Sequence, residues 1–187
     1  MRLPLIPLDT LTAEQKTLYA DMKNGIQNNF KGFTAINEEG PWNPWLRFPQ
    51  FGRAVWDYTK AMSASPKLPR TVREIAILVT GTKFHAAYEL YAHVIVAELR
   101  GLPDEKITTI ISGHRPSDLT SEETIAYDLA SSLVTGSTLP TLTYKRAVGA
   151  FGEDGAAEFI YLVGLYCAVS VILNGFDVPL PEDGTAD

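Results

Sequence analysis

The sequence predicts an all-α fold of about eight helices. Three observations carry this prediction. Apolar residues recur at helical spacing along most of the chain, capping boxes and C-terminal glycines punctuate the segments, and no run alternates apolar and polar residues between turn signals. A parallel sheet would need strand segments between the helices, and the connections leave no room for them.

Taken in order, Thr12-Ala-Glu-Gln15 is a capping box that opens a helix through about Phe30, with Leu18 and Met22 on one face. A loop rich in Gly, Pro and Asn follows and ends in Gly40-Pro-Trp-Asn-Pro-Trp45. Residues 46–64 read as helix with a break at Pro49. Pro69 suits a first helical turn, and Arg70–Lys83 continues with Val72, Ile75, Ala76 and Val79 on one side. Phe84–Arg100 is a second periodic segment, stopped by Gly101. Pro103 opens a short helix to about Ser112, with Asp104 and Glu105 at its favourable dipole end. Thr120-Ser-Glu-Glu123 is another capping box, heading a helix to about Val134. Pro140 starts a helix ending near Gly149, and Gly152–Asn174 is the last, apolar enough to be buried on most sides.

Composition narrows the function classes. With 187 residues, 45% hydrophobic and 20% charged, the chain suits one globular domain with a full core or two small lobes sharing one, and a single domain with residues 1–40 as an N-terminal helical extension is expected. A net charge of −6 argues against nucleic acid as a partner. Residues 1–100 carry 12 Lys/Arg against 9 Asp/Glu and residues 101–187 carry 4 against 13, which mildly favours an anion site in the first half. The longest apolar run, Phe159–Leu173, falls short of the roughly 20 residues of a membrane span, so no membrane is expected as a partner. The single cysteine, Cys167, permits no intrachain disulfide, and no signal-peptide pattern opens the chain, so a cytoplasmic protein is expected.

Chemistry concentrates in Phe84–Arg100. Glu89 and His93 stand four residues apart and so share a helical face, with small or apolar Ala86, Val96 and Ala97 beside them. A carboxylate holding one imidazole nitrogen sets the tautomer and raises basicity, which prepares a general acid or base. Two readings stay open on spacing alone: this site, or an i,i+4 pair serving only packing or the surface. Glu74, one helix upstream, is the second carboxylate, brought towards the first pair by an antiparallel turn around Thr82–His85; its alternative is a rim acid paired with Arg70 or Arg73. His85, Glu89 and His93 form a ladder, but its ends lie about 12 Å apart along a helix, so no metal is expected. Trp42 and Trp45 either lid a pocket or anchor a loop, and Cys167 behaves as a small hydrophobe. No phosphate loop, GxSxG elbow or HExxH motif occurs, and no cofactor is expected.

Leu68-Pro-Arg-Thr-Val-Arg-Glu-Ile-Ala-Ile-Leu, Tyr88-Glu-Leu-Tyr-Ala-His93 and Gly101-Leu-Pro together resemble the core of the carboxymuconolactone decarboxylase/AhpD-like family. Phe151-Gly-x-x-Gly-x-x-Glu158-x-x-x-Leu-Val-Gly-x-Tyr166 and Asn174-x-Phe-x-Val-Pro-Leu-Pro181 extend the likeness, which spans residues 40–181. The resemblance implies an AhpD-like helical bundle and a homo-oligomer, a trimer or hexamer. It also implies two chemistries. In the hydroperoxidase branch the motif is Cys-x-x-Cys-x-x-x-His with an upstream Glu; registering on His93 puts Ala86 and Glu89 at the cysteine positions and Glu74 at the upstream acid. Ala and Glu cannot cycle a disulfide, so this chain alone is no dithiol peroxidase. The decarboxylase branch has Glu-Leu-x-x-His, which Glu89-Leu90-Tyr91-Ala92-His93 reproduces. By that resemblance His93, Glu89 and Glu74 are the catalytic candidates of a lyase that removes CO2 from a small carboxylated lactone without a cofactor. The N-terminal extension and the aromatic loop at residues 31–45 depart from the pattern. The alternative is a non-catalytic oligomeric binding or scaffold protein that keeps the fold.

Overall fold

The computed structural model describes residues 2–29, 40–64 and 66–181. Among these are eight α-helices and no strand: α1 (Ala13–Asn29), α2 (Trp42–Arg47), α3 (Pro49–Ala64), α4 (Arg70–Phe84), α5 (Ala87–Leu99), α6 (Asp104–Ile111), α7 (Ser121–Leu133) and α8 (Thr141–Phe176), preceded by a 3-10 turn at Leu8–Thr10. The all-α expectation therefore holds. Both capping boxes form. Gln15 N–H donates to Thr12 Oγ1 at 3.3 Å and Thr12 N–H to Gln15 Oε1 at 2.9 Å. In the second, Glu123 N–H donates to Thr120 Oγ1 at 3.3 Å and Thr120 N–H to Glu123 Oε2 at 2.8 Å.

Two boundaries differ from expectation and a third holds. Residues 42–45 are helix where a loop is expected, as the start of Trp42–Arg47, and the break falls at Phe48, whose φ of −122° and ψ of 69° leave the helical region ahead of Pro49. The second periodic segment starts at Ala87, because His85 adopts the left-handed conformation (φ 50°, ψ 40°) and Ala86 is non-helical too. The boundary expected between the last two helices holds: α8 is two helical segments that meet at a kink at Gly152, whose φ of 72° and ψ of 175° are open to glycine alone among common residues. The part of the aromatic loop at residues 31–39 lies outside the described residues.

The chain forms two compact units, residues 1–64 with 172–187, and residues 65–171. In the first, α1 packs on α2 and α3. Trp45 and Trp56 are buried there, and Trp42 meets both edge-on, at 5.1 and 6.0 Å between ring centroids. The tryptophans thus anchor α2 to α3. Gly52 on α3 lies against the Trp45 backbone so closely that any Cβ would overlap the Trp45 carbonyl group.

In the second unit α4 is central, packed by α5, α6 and α7, and every residue from Glu74 to Gly81 is buried. A helix enclosed all round needs to be apolar all round, which makes the buried Glu74 an exception that its partners must explain. Glu158 on α8 accepts hydrogen bonds from the backbone N–H groups of Lys67 (2.6 Å) and Leu68 (3.2 Å) and pairs with Arg73. One carboxylate thereby fixes the entry of the chain into α4.

The expectation for α8 needs correction. Phe159, Leu162, Val163, Leu165 and Val169 are buried, but Tyr161 is 63% and Val171 55% exposed, with Gly164 and Ala168 open between them. Apolarity here reflects one core-facing stripe plus a second apolar face that the single chain leaves uncovered. α8 is also the one helix among the described residues long and apolar enough to cross a membrane by those criteria, with 44% of the relevant window buried.

Replacing Glu158 by Ala removes the acceptor of two backbone N–H groups at the mouth of α4. The expected loss is about 2–4 kcal/mol in urea unfolding, whereas Glu153→Ala on an exposed turn of α8 changes stability by less than about 0.5 kcal/mol.

Candidate functional site

Two local devices bring the predicted residues together. The left-handed residue His85 ends α4, its N–H meeting the Thr82 carbonyl at 3.1 Å while Ala86 N–H reaches Gly81 O at 3.0 Å. The chain reverses there, and α5 begins directly on α4. Gly81 makes the close approach possible: a Cβ at this position would sit 3.0 Å from Leu90 Cδ2 and 3.4 Å from Glu89 Cγ. Glu89 then occupies the first turn of α5, His93 lies one turn on, and Arg100 caps the helix C-terminus before Gly101 (φ 82°) turns the chain.

All three predicted residues converge on one imidazole. His93 Nδ1 lies 2.8 Å from Glu74 Oε2, and His93 Nε2 lies 3.2 Å from Glu89 Oε1. Glu74 is 0%, Glu89 4% and His93 8% exposed. Glu74 is therefore no rim acid: Arg73 pairs with Glu158, and Glu74 Oε1 accepts instead from Arg100. The spacing-based expectation that Glu89 orients His93 also changes. The aligned hydrogen bond runs to Glu74, while the Glu89 contact is within ion-pair distance but outside hydrogen-bond geometry, leaving Glu89 Oε1 buried without a hydrogen-bond partner. The two carboxylates face opposite ring nitrogens. Among the described residues no cluster of three or more His, Cys, Asp or Glu side chains offers a metal site. His85, the third member of the ladder, is exposed in the turn.

Two further residues belong to this cluster. Arg100, 26 positions from Glu74, was not legible as a member because nothing in its local pattern points across to α4. Tyr166 of α8 sets its ring edge-on to His93, with centroids 5.0 Å apart at 89°. It stood in the family-like motif, and that was its only signal.

Electrostatics separates the roles of the groups. Burial pushes the Glu89 carboxyl up to about 7; His93 partly offsets this and the Glu74 charge adds to it. For His93, burial disfavours the charged ring, but the charge and hydrogen bond of Glu74, aided by Glu89, outweigh it and raise the pKa against the opposition of Arg100. Burial, then Glu89 and Glu74, hold the Tyr166 hydroxyl well above its ordinary value, so it remains a neutral phenol. Burial also raises Cys167, which argues against a reactive thiolate.

Two cavities lined by described residues lie elsewhere. One of about 400 Å³ sits between α4, α6 and α7 beside Lys83, His85 and Tyr127, and one of about 30 Å³ lies beside Asn43 and Phe176.

No family model and no curated protein matches the chain. A solved structure does: the alkylhydroperoxidase AhpD core of an uncharacterized peroxidase-related protein from Ralstonia eutropha JMP134, with a TM-score of 0.78 and 12% identity over 97% of this chain and 92% of that one. At that identity the likeness shows the fold, and the chain has the AhpD-like all-α fold.

The raised Glu89 makes a thermodynamic prediction. A carboxyl that binds its proton more tightly when folded costs stability once pH rises above the unfolded value of 4.5, and the cost is complete above about 7. Glu89→Gln removes this cost. In urea unfolding the variant should match the wild type near pH 4.5 and gain on it up to pH 8.5, by at most roughly 3 kcal/mol; parallel pH profiles would contradict the assignment.

Proposed function

We propose that this chain performs cofactor-free acid/base chemistry on a small carboxylated or lactone-type substrate, in the manner of a 4-carboxymuconolactone decarboxylase-like lyase. The observation that carries the reading is Glu89 Oε1, a buried carboxyl oxygen without a hydrogen bond, 3.2 Å from His93 Nε2. A buried polar atom left open costs stability, and a reacting proton is a reason to keep it. Glu89 and His93 Nε2 are the proton-handling pair, Glu74 holds the far side of the ring, and neutral Tyr166 borders it. In a decarboxylation, electrons leaving the substrate carboxylate pass to the adjacent carbon as CO2 departs, and the acid delivers a proton to the electron-rich product. In a proton transfer without CO2 loss, the same pair takes the proton from one carbon and returns it to another.

Dithiol peroxidase chemistry is unavailable to the chain alone, because Glu89 and Ala86 replace both cysteines of that motif and Cys167 is the sole thiol. The second reading, a non-catalytic scaffold, draws on the same burial: a site as enclosed as Glu74 and Glu89 also suits a purely structural network.

The chain is further proposed to form a homo-oligomer through the uncovered face of α8. Tyr161 and Val171 are apolar surface of the kind that a second copy covers.

A panel of muconolactones and β-keto acids, assayed for CO2 release and for carbon-proton exchange with solvent, separates the two readings. Turnover should fall by about 10²–10⁴ in His93→Ala and Glu89→Gln. With Glu89 as the acid, kcat/KM falls as pH rises through about 7, and Glu89→Gln loses that limb. Equal inertness of wild type and His93→Ala across the panel would favour the scaffold. By sedimentation the wild type should be a trimer or hexamer, and a folded Tyr161→Glu variant should shift towards monomer.

A further inference from the structure

The cavity of about 400 Å³ between α4, α6 and α7 shares no lining residue with the Glu89–His93 site. Its walls follow from helical spacing. Val79, Thr82 and Lys83 recur at i, i+3 and i+4 on α4, and Tyr127, Ser131 and Val134 at i, i+4 and i+7 on α7. Ser131 is the small side chain between two large ones, and the gap opens where it stands. Val79 and Ile110 are buried, whereas Lys83 and His85 are exposed, so the floor is apolar and the rim is basic. Folded interiors keep few voids larger than a water molecule, and pockets for small ligands run from about 300 to 1,000 Å³.

The polar groups of this cavity divide into those already engaged and those left open. Thr82 Oγ1 donates to Ile110 O at 3.3 Å, and Thr135 Oγ1 to Ser132 O at 2.7 Å. Lys83 Nζ, the His85 ring and Ser131 Oγ have no hydrogen-bond or ion-pair partner among the described residues. No described Asp or Glu lines the cavity. Three helices end here, and the free carbonyls of a helix C-terminus disfavour an anion. Several of those carbonyls are occupied: Thr82 O accepts from His85 N–H at 3.1 Å, Ile110 O from Gly113 N–H at 2.9 Å and Leu133 O from Gly136 N–H at 3.2 Å. A lysine in the last turn of α4 suits the helix dipole by itself. The dipole gives no reason, however, for the open His85 ring and Ser131 hydroxyl that share the cavity with it.

We propose that this cavity is a second binding site, for a small organic carboxylate with an apolar body. The Lys83 ammonium and a His85 N–H meet the carboxylate at the rim, Ser131 offers its hydroxyl to a polar substituent, and Val79 and Ile110 take the apolar body. Tyr127 supplies a ring steadied from outside the cavity: the Arg115 guanidinium lies 5.7 Å from the ring centroid, and Asp128 holds Arg115 at 3.2 Å. Lys83 and His85 belong to residues 1–100, the part of the chain whose 12 Lys/Arg against 9 Asp/Glu favours an anion. An inorganic anion would leave the floor uncovered, so the apolar body is what distinguishes the ligand. Binding here is separate from turnover at Glu89 and His93.

The test is titration of the full chain, by calorimetry and ligand-observed NMR, with benzoate, 4-hydroxybenzoate and phenylacetate near neutral pH and at low salt. Benzamide and inorganic phosphate serve as controls. At least one carboxylate should bind with a Kd at or below about 1 mM, and about tenfold or more tightly than either control. Lys83 is exposed, so Lys83→Gln should fold normally and weaken binding about fivefold to tenfold. His85→Asn, which retains a residue suited to left-handed backbone, should weaken it about threefold. Ser131→Trp fills the gap and should abolish binding. Binding should persist unchanged in His93→Ala and Glu89→Gln, which separates this site from the proposed acid/base site.

Failure of all three carboxylates to bind below about 5 mM overturns the assignment, and so does benzamide or phosphate binding as tightly as the best of them. Unchanged affinity in Lys83→Gln, or in Ser131→Trp while folded by circular dichroism, has the same consequence. If Ser131→Trp does not fold, Lys83→Gln alone decides. Loss of binding in His93→Ala places the carboxylate at the acid/base site and overturns the second site. Because no turnover is measured, the expected binding in a protein inert on every substrate would leave this cavity assigned while the enzymatic reading fell.

Discussion

The buried carboxylate of Glu74 is the constraint on which this site depends. It sits at 0% exposure on the central helix of its unit, where every neighbour in sequence from Ile75 to Gly81 is also buried. Moving an ionised carboxylate from water into such surroundings costs several kcal/mol unless other charges and hydrogen bonds replace the lost hydration. Arg100 and His93 are those replacements, one on each oxygen. Removing either partner leaves a charge in the core, so the arrangement of α4, α5 and the turn after α5 is specified more sharply here than apolar packing alone would specify it.

That requirement gives a purpose to backbone features that look incidental in isolation. Gly81 lets α5 start against α4, the left-handed His85 reverses the chain within two residues, and Gly101 stops α5 where Arg100 can reach back. Each lies at a helix end, where a change of direction is possible without breaking hydrogen bonds inside the helix. Glu158 does comparable work at the other end of α4, where it gathers the N–H groups of Lys67 and Leu68. The N-terminal half of the central helix is thus held by charged groups, Glu158 at its entry and the partners of Glu74 one turn on, and the remainder is held by packing.

How much of this could be read in the sequence follows from the range of each interaction. Helices, capping boxes and the Glu89/His93 face depend on residues within four positions of one another, and local pattern reveals them. Glu74 was visible as a candidate because a short turn joins two periodic segments and the family-like motif includes it. Arg100 was invisible, since its partner is 26 residues away and an arginine before a C-terminal glycine has an ordinary local explanation. The exposed face of α8 was misread for a related reason. Periodicity separates apolar from polar faces, but a helix apolar on two faces does not reveal that only one is covered within the chain. The orienting acid was misassigned because spacing on one helix measures reach and carries no information about angle: Glu89 lies within reach, while Glu74, from the neighbouring helix, has the alignment.

Two carboxylates of the same type, both adjoining His93, end in opposite electrostatic positions. Glu74 has a guanidinium on one oxygen and the imidazole on the other. Glu89 has no cation of its own beyond the ring, and burial drives its carboxyl up to about 7. Of the two, the carboxyl that burial raises is the one that changes its protonation near neutrality. Replacing a buried charged network by apolar side chains of similar volume is often neutral or stabilising, so stability does not account for the Glu74–His93–Glu89 arrangement.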